Sequence, residues 1–195
     1  LPARCSRVWK KLFCVTRRMC FQLSAEIVIL ERDLVYNDMS GNKEDNHLQA
    51  ITELLQKLIK TTSFSKEEGD AAEVMRKFLK ARKIPFETKG HNTWAKNKHF
   101  NFLKPTILLN SHIDTVKPVK GWERDPFGAV VEDDKLYGLG SNDAGAALVC
   151  LLGTFLHFYE KDDLKYNLIF AATAEEEISG KNGIESIEEI TSACQ

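Results

Sequence analysis

Thr106-Ile-Leu-Leu-Asn-Ser-His112-Ile-Asp114 joins an apolar run to an imidazole and a carboxylate. Its first residues are β-branched or apolar, the composition of a short buried strand, and a polar pair stands where that strand runs out. Further on, Gly138-Leu-Gly-Ser-Asn-Asp143-Ala-Gly145 leads into the apolar run Ala146 to Tyr159, which puts Asp143 at or just before a helix start. Asn167-Leu-Ile-Phe-Ala-Ala-Thr173 then repeats the strand pattern and leads to Glu175-Glu-Glu177. Strands alternating with helices predict an α/β layer fold. In open α/β sheets the carboxyl ends of the strands line the crevice where ligands bind, so this imidazole and these acids face a site and not a core.

Imidazole with carboxylates is the donor set that suits zinc, cobalt or manganese, and it differs from the all-oxygen set of calcium. Asp114 lies two residues after His112, on the same side of an extended chain, where it can accept the ring N–H and fix the tautomer. Asp143 has two oxygens with which to bridge a pair of cations about 3.5–4 Å apart. Each feature alone has a plainer explanation. A His-x-Asp arises by chance, a glutamate run is usually a solvated face, and Asp143 alone is a helix N-cap. All three in order at strand ends favour metal chemistry. His47, His91, His99 and His157 stand without such acidic context and read as surface or packing residues. Gly138-x-Gly140 imitates the start of a dinucleotide fingerprint, but Asp143 takes the third glycine's place and its charge repels a pyrophosphate.

Ser111-His112-Ile-Asp114-Thr-Val116, Tyr137-Gly-Leu-Gly-Ser-Asn-Asp143 and Thr173-Ala-Glu-Glu176-Glu177-Ile-Ser-Gly180 resemble the three successive motifs of the dizinc peptidases and deacylases. That family includes acetylornithine deacetylase, succinyl-diaminopimelate desuccinylase, aminoacylase and glutamate carboxypeptidase. The resemblance runs from about His47 to Ile190. It implies a mixed central sheet between helix layers and two Zn2+ ions, with Co2+ or Mn2+ as alternatives. His112 is implied as ligand of one metal, Asp143 as the bridge, Glu177 as ligand of the other, Glu176 as general base, and Asp114 as the group that orients His112. The implied reaction is hydrolysis of the amide bond of an N-acyl amino acid or dipeptide-like small molecule.

The family often carries Arg between the two glycines and Met-Lys-Gly after the bridging Asp; this chain has Leu139 and Ala144-Gly145. That places the resemblance nearest the acetylornithine deacetylases, hence arginine biosynthesis. The family's remaining ligands, a further acid and a distal His, and its inserted lid domain lie beyond the paired glutamates. The expectation is therefore the N-terminal part of a catalytic domain, truncated before the lid, with a homodimer only where that lid is present. Glu185, Glu188 and Glu189 match no family position. A second reading stays open beside the first: a catalytically inactive fragment acting as a binding or scaffold module.

Composition narrows the classes. The formal charge is -1 with basic and acidic residues interspersed, so no basic stripe invites nucleic acid. No apolar run reaches the eighteen or so residues of a membrane span. Cys5, Cys14, Cys20, Cys150 and Cys194 are an odd number without C-x-x-C spacing, which fits a reducing, cytoplasmic compartment. Residues 1 to 38 hold three of these cysteines and keep no period, and Met39 precedes the first periodic helix. They read as an unstructured or artefactual extension, with residues 39–195 as the catalytic part.

Leu48, Ile51, Leu54, Leu55, Leu58 and Ile59 predict an amphipathic helix ended by Thr61 to Ser65. Ser65 with Glu68 reads as a capping box opening a second helix. Strands are expected over Ile84 to Thr88 and Asn92 to Lys96 around a turn, and a hairpin around Glu132-Asp-Asp134. Trp122 and Phe127 either wall the crevice or pack their loop down.

Overall fold

The computed structural model describes residues 42–188 and 190. The expectations for residues 1–38 and for a start at Met39 lie outside them. The backbone divides into two units, residues 1–50 and 51–195. The described part of the first is residues 42–50 of helix α1, which spans Asn42–Lys60.

In the second unit the rest of α1 buries Ile51, Leu54, Leu55, Leu58 and Ile59, the stripe that the three-and-four spacing predicts. Helix α2 (Gly69–Ala81) buries Ala71, Ala72, Met75 and Leu79. It begins three residues later than the capping box predicts, with the N-cap at residue 68 in place of 65. Glu68 occupies the N-cap position without a side-chain cap bond. Its carboxylate instead accepts the Lys66 N–H at 2.7 Å, and Ser65 Oγ donates to Asp114 Oδ2 at 2.8 Å. Glu68 Oε1 also accepts the Glu175 N–H at 3.2 Å, so tertiary partners engage both side chains that a capping box would use locally.

Strand β1 (Glu87–Lys89) also starts later than expected. Ile84 is buried and donates its N–H to Leu79 O, while Pro85 has no N–H to give a ladder. Strands β2 (Asn92–Lys96), β3 (Thr106–His112) and β6 (Asn167–Thr173) join β1 in one sheet, ordered β1-β2-β6-β3. The β1/β2 and β2/β6 pairs are antiparallel and β3/β6 is parallel, so the fold is α/β with a mixed sheet. Strands β4 (Val130–Glu132) and β5 (Lys135–Tyr137) form the separate expected hairpin. Its loop residues Asp133 and Asp134 both have positive φ, 50° and 58°, as a two-residue primed turn requires.

Strand β6 is buried at all seven positions, which accounts for its unbroken apolar run. Phe170 meets Phe155 of helix α3 (Ala147–Phe158), ring centroids 6.0 Å apart. Ile169 and Ala171, on the opposite face, pack with Trp94, Ile187 and Ile190. The chain between β3 and β6 is a crossover, as parallel neighbours demand. In the register His112 pairs with Thr173, so both strands deliver their carboxyl ends to one edge of the sheet.

Gly138 and Gly145 lie against α1. A Cβ on Gly138 would strike Ile59 Cγ2, and one on Gly145 would lie 2.5 Å from Gly140 O and 2.6 Å from Leu55 Cδ1. Gly140 has φ +71°, the left-handed region. These glycines serve close packing and one turn, not a phosphate cradle. Gly145→Ala is expected to cost about 1–3 kcal/mol through overpacking, read as a lowered urea midpoint at unchanged slope; an unchanged midpoint would contradict this packing.

Candidate metal centre

His112 ends β3 and is buried at 8% exposure. Its Nδ1 lies 3.0 Å from Asp114 O and 3.4 Å from Asp114 Oδ1. Its Nε2 points the other way, 3.2 Å from Asp143 Oδ1 and 3.6 Å from Glu176 Oε2. Asp143 sits in the turn Ser141–Ala146 just ahead of α3, at a kink where the backbone leaves helical geometry, with φ -112° and ψ 105°. Its side chain is exposed and caps no helix. Glu177 stands half-buried in a 3₁₀ turn (Glu176–Ile178) that follows β6. His112, Asp143 and Glu177 each offer one ligand atom, and those atoms all lie within 4.8 Å of one another. Three segments far apart in sequence therefore converge as their positions at strand ends and a helix start predict.

The turn after β6 is held by its backbone. Ala174 N–H donates to Asn92 Oδ1 at 2.9 Å and Glu175 N–H to Glu68 Oε1 at 3.2 Å. Glu176 and Glu177 donate their N–H groups to the two oxygens of Asp114, each at 3.1 Å. Asp114, 1% exposed, thus lies against the imidazole and also accepts the N–H groups of the turn that presents two acids. Glu175 turns inward, where its carboxylate accepts from Asn182 N and Asn182 Nδ2 at 3.3 and 2.7 Å. Sequence reasoning missed Glu68, Asn92 and Ser65. The segment Ser65-Lys-Glu-Glu-Gly-Asp70 is polar throughout, so nothing local set Glu68 apart and the capping-box reading absorbed it. His91 needs correction as well: its Nδ1 lies 2.7 Å from Glu68 Oε2, so it has an acidic partner.

Electrostatics follow from these contacts. Burial alone would lower the His112 pKa, but the hydrogen bonds and charge of Asp114, with Glu176 nearby, raise it to about 9. Burial alone would raise the Asp114 carboxyl. The His112 ring, Ser65 and the two backbone N–H groups hold it below the usual carboxylate range. Glu177 is pushed up, by burial first and then by the negative charge of Asp143.

Such a crowd of acids around an imidazole fits a cation. In a tetrahedral zinc site with bonds of about 2.0–2.1 Å, two ligand atoms are about 3.3 Å apart. The 3.2 Å between His112 Nε2 and Asp143 Oδ1 is close to that edge. Beside it runs an open groove of about 360 Å³ lined by Val116, Trp122, Leu139, Ser141 and Asn142 among others. Trp122 walls the crevice, whereas Phe127 packs edge-on against Phe64 at 6.4 Å.

The shifts set a pH window for the metal-free protein in EDTA. His112 has a raised pKa, so its contribution to stability is complete below 6.5 and is lost as pH rises through about 9. Asp114 has a lowered one, so its contribution is present above 3.8 and is lost as pH falls further. The urea midpoint is expected to fall on both sides of that interval, and His112→Ala should flatten the alkaline limb. An alkaline limb unchanged in His112→Ala would contradict the pairing.

Comparison with known proteins places this geometry in context. Residues 108–193 match Peptidase family M20/M25/M40. A succinyl-diaminopimelate desuccinylase of Blochmanniella floridana is 30% identical over 142 residues, which are 69% of this chain and 37% of that protein. The chain therefore spans little more than a third of such relatives. An M20 family metallo-carboxypeptidase from Sulfolobus solfataricus superposes with TM-score 0.52 at 26% identity, over 72% of this chain and 34% of that one. A dinuclear metal binding peptidase of the M20 family from Bacillus subtilis shares the fold at TM-score 0.55 and 18% identity, over 78% and 41% of the two chains.

Proposed function

We propose, from the match of residues 108–193 to Peptidase family M20/M25/M40, that the chain carries part of the active site of a metal-dependent amide hydrolase acting on small N-acyl amino acids or dipeptide-like molecules. The observation that supports this reading is the convergence of His112 Nε2, Asp143 and Glu177 around one point, with Glu176 at its rim. The relatives' own names favour a succinyl group over the acetyl group that the resemblance to acetylornithine deacetylases suggests.

In this reading His112, Asp143 and Glu177 hold the metal, zinc being the first choice for an imidazole and carboxylate set and cobalt or manganese its substitutes. Asp143 would be the residue shared with a second ion. A divalent cation held by these residues would supply Lewis-acid chemistry, which brings the pKa of water from 15.7 toward about 7. The protein's own part is positioning and proton transfer. The Asp114 carbonyl oxygen, with its carboxylate close by, accepts a hydrogen bond from the Nδ1–H of His112, which turns the Nε2 lone pair toward Asp143. Glu176, with its side chain 62% exposed, is free to accept the proton of the attacking water and to return it to the leaving nitrogen. The groove walled by Trp122 and Val116 receives the acylated substrate.

Elemental analysis of the chain dialysed against trace zinc should find stoichiometric metal, abolished by His112→Ala and by Asp143→Ala. Metal-free protein in all three samples would count against the site. In a chain extended to the length of its relatives, Glu176→Gln should keep its metal and lose about 10²–10⁴-fold in turnover. Turnover close to that of the unmodified enzyme would remove Glu176 as the base.

A further inference from the structure

Glu68 is fully buried, at 0% exposure, yet it does not cap its own helix and, among the described residues, pairs with no lysine or arginine. A carboxylate in such a place is costly unless its lone pairs are filled by donors. They are filled from two sides. Oε1 accepts the N–H of Lys66 and the N–H of Glu175, and Oε2 faces Nδ1 of His91 at 2.7 Å. His91 belongs to the β1–β2 turn and its side chain is 38% exposed.

The Glu175 peptide is where the chain changes direction. Thr173 is the last residue of β6, and Glu175 has φ 56° and ψ 22°, the left-handed region, before the 3₁₀ turn that carries Glu176 and Glu177. A non-glycine residue in that region is strained and is held there by its surroundings. The bond from Glu175 N–H to Glu68 Oε1 fixes the peptide entering that reversal. The two bonds to Asp114 fix the next two peptides. Asp114 therefore decides where the turn lies relative to His112, and Glu68 decides how the chain enters it.

From this geometry we infer that Glu68, held by His91, is a positioning residue for the metal centre. It sets the backbone reversal at Glu175 and through it the placement of Glu176 and Glu177 relative to His112 and Asp143. The role rests on the metal reading of that cluster. It makes the start of α2 and the β1–β2 turn part of the support of a site to which neither contributes a ligand.

The test uses the whole chain titrated with Co2+, recording the isotherm and the visible absorption of the bound ion at saturation, with the thermal midpoint measured beside them. Glu68→Ala should weaken cobalt binding about tenfold or more, the usual scale for groups that support metal ligands, and should change the visible band at saturation. A residue that merely stabilised the fold would lower the thermal midpoint and leave that band unmoved. Glu68→Gln keeps an acceptor oxygen for the Glu175 N–H and should restore most of both affinity and band. Where Glu68→Ala does not fold, His91→Ala carries the test with a smaller loss in the same direction. A folded variant with the affinity and spectrum of the unmodified chain would overturn this inference alone. An unmodified chain that gave no cobalt spectrum would overturn the metal reading and this inference with it.

Discussion

Four consecutive peptide N–H groups, Ala174 to Glu177, leave the end of a buried strand, and each of them finds a side-chain oxygen. Buried donors left unpaired cost roughly 1–3 kcal/mol each, so acceptors must be supplied where the ladder no longer supplies them. Three buried side chains do so: Asn92 from β2, Glu68 from the start of α2, and Asp114 from just past β3. The turn that carries Glu176 and Glu177 is thereby tied to three separate parts of the fold. The rest of the centre depends on that tie.

Its other half is the parallel pairing of β3 with β6. Because His112 is in register with Thr173, the imidazole and the glutamate turn leave the sheet at the same edge. The Ile113 N–H, bonded to Thr173 O at 2.8 Å, continues that alignment one residue past the strand. The crossover between the strands returns through the glycine-rich turn under α1, and that turn brings Asp143 to His112 Nε2. The ligand cluster is in this sense a consequence of sheet register and helix approach.

Much of this could be read from residue order. The apolar runs at Thr106 and Asn167, each running into a polar end, mark two buried strands that point at one site. His112, Asp114, Asp143, Glu176 and Glu177 stand where such ends place chemistry, and the structure brings them together. The reading failed at Ser65, Glu68 and His91, where local rules describe a capping box and a surface histidine. Both failures have one cause: these side chains bond to partners across the fold, Ser65 to Asp114, Glu68 to Glu175 and His91 to Glu68.

Periodicity, turn residues and the order of His, Asp and Glu were enough to determine an α/β chain with a metal-type donor set, since helix and strand patterns and donor chemistry are local properties. Which of three adjacent glutamates faces inward, where α2 begins, and what holds the turn after β6 were decided only by tertiary structure. Those outcomes depend on which buried oxygen lies within hydrogen-bond reach of a given N–H. That distance is set by packing between segments as far apart as Glu68 and Glu175, and no local pattern contains it.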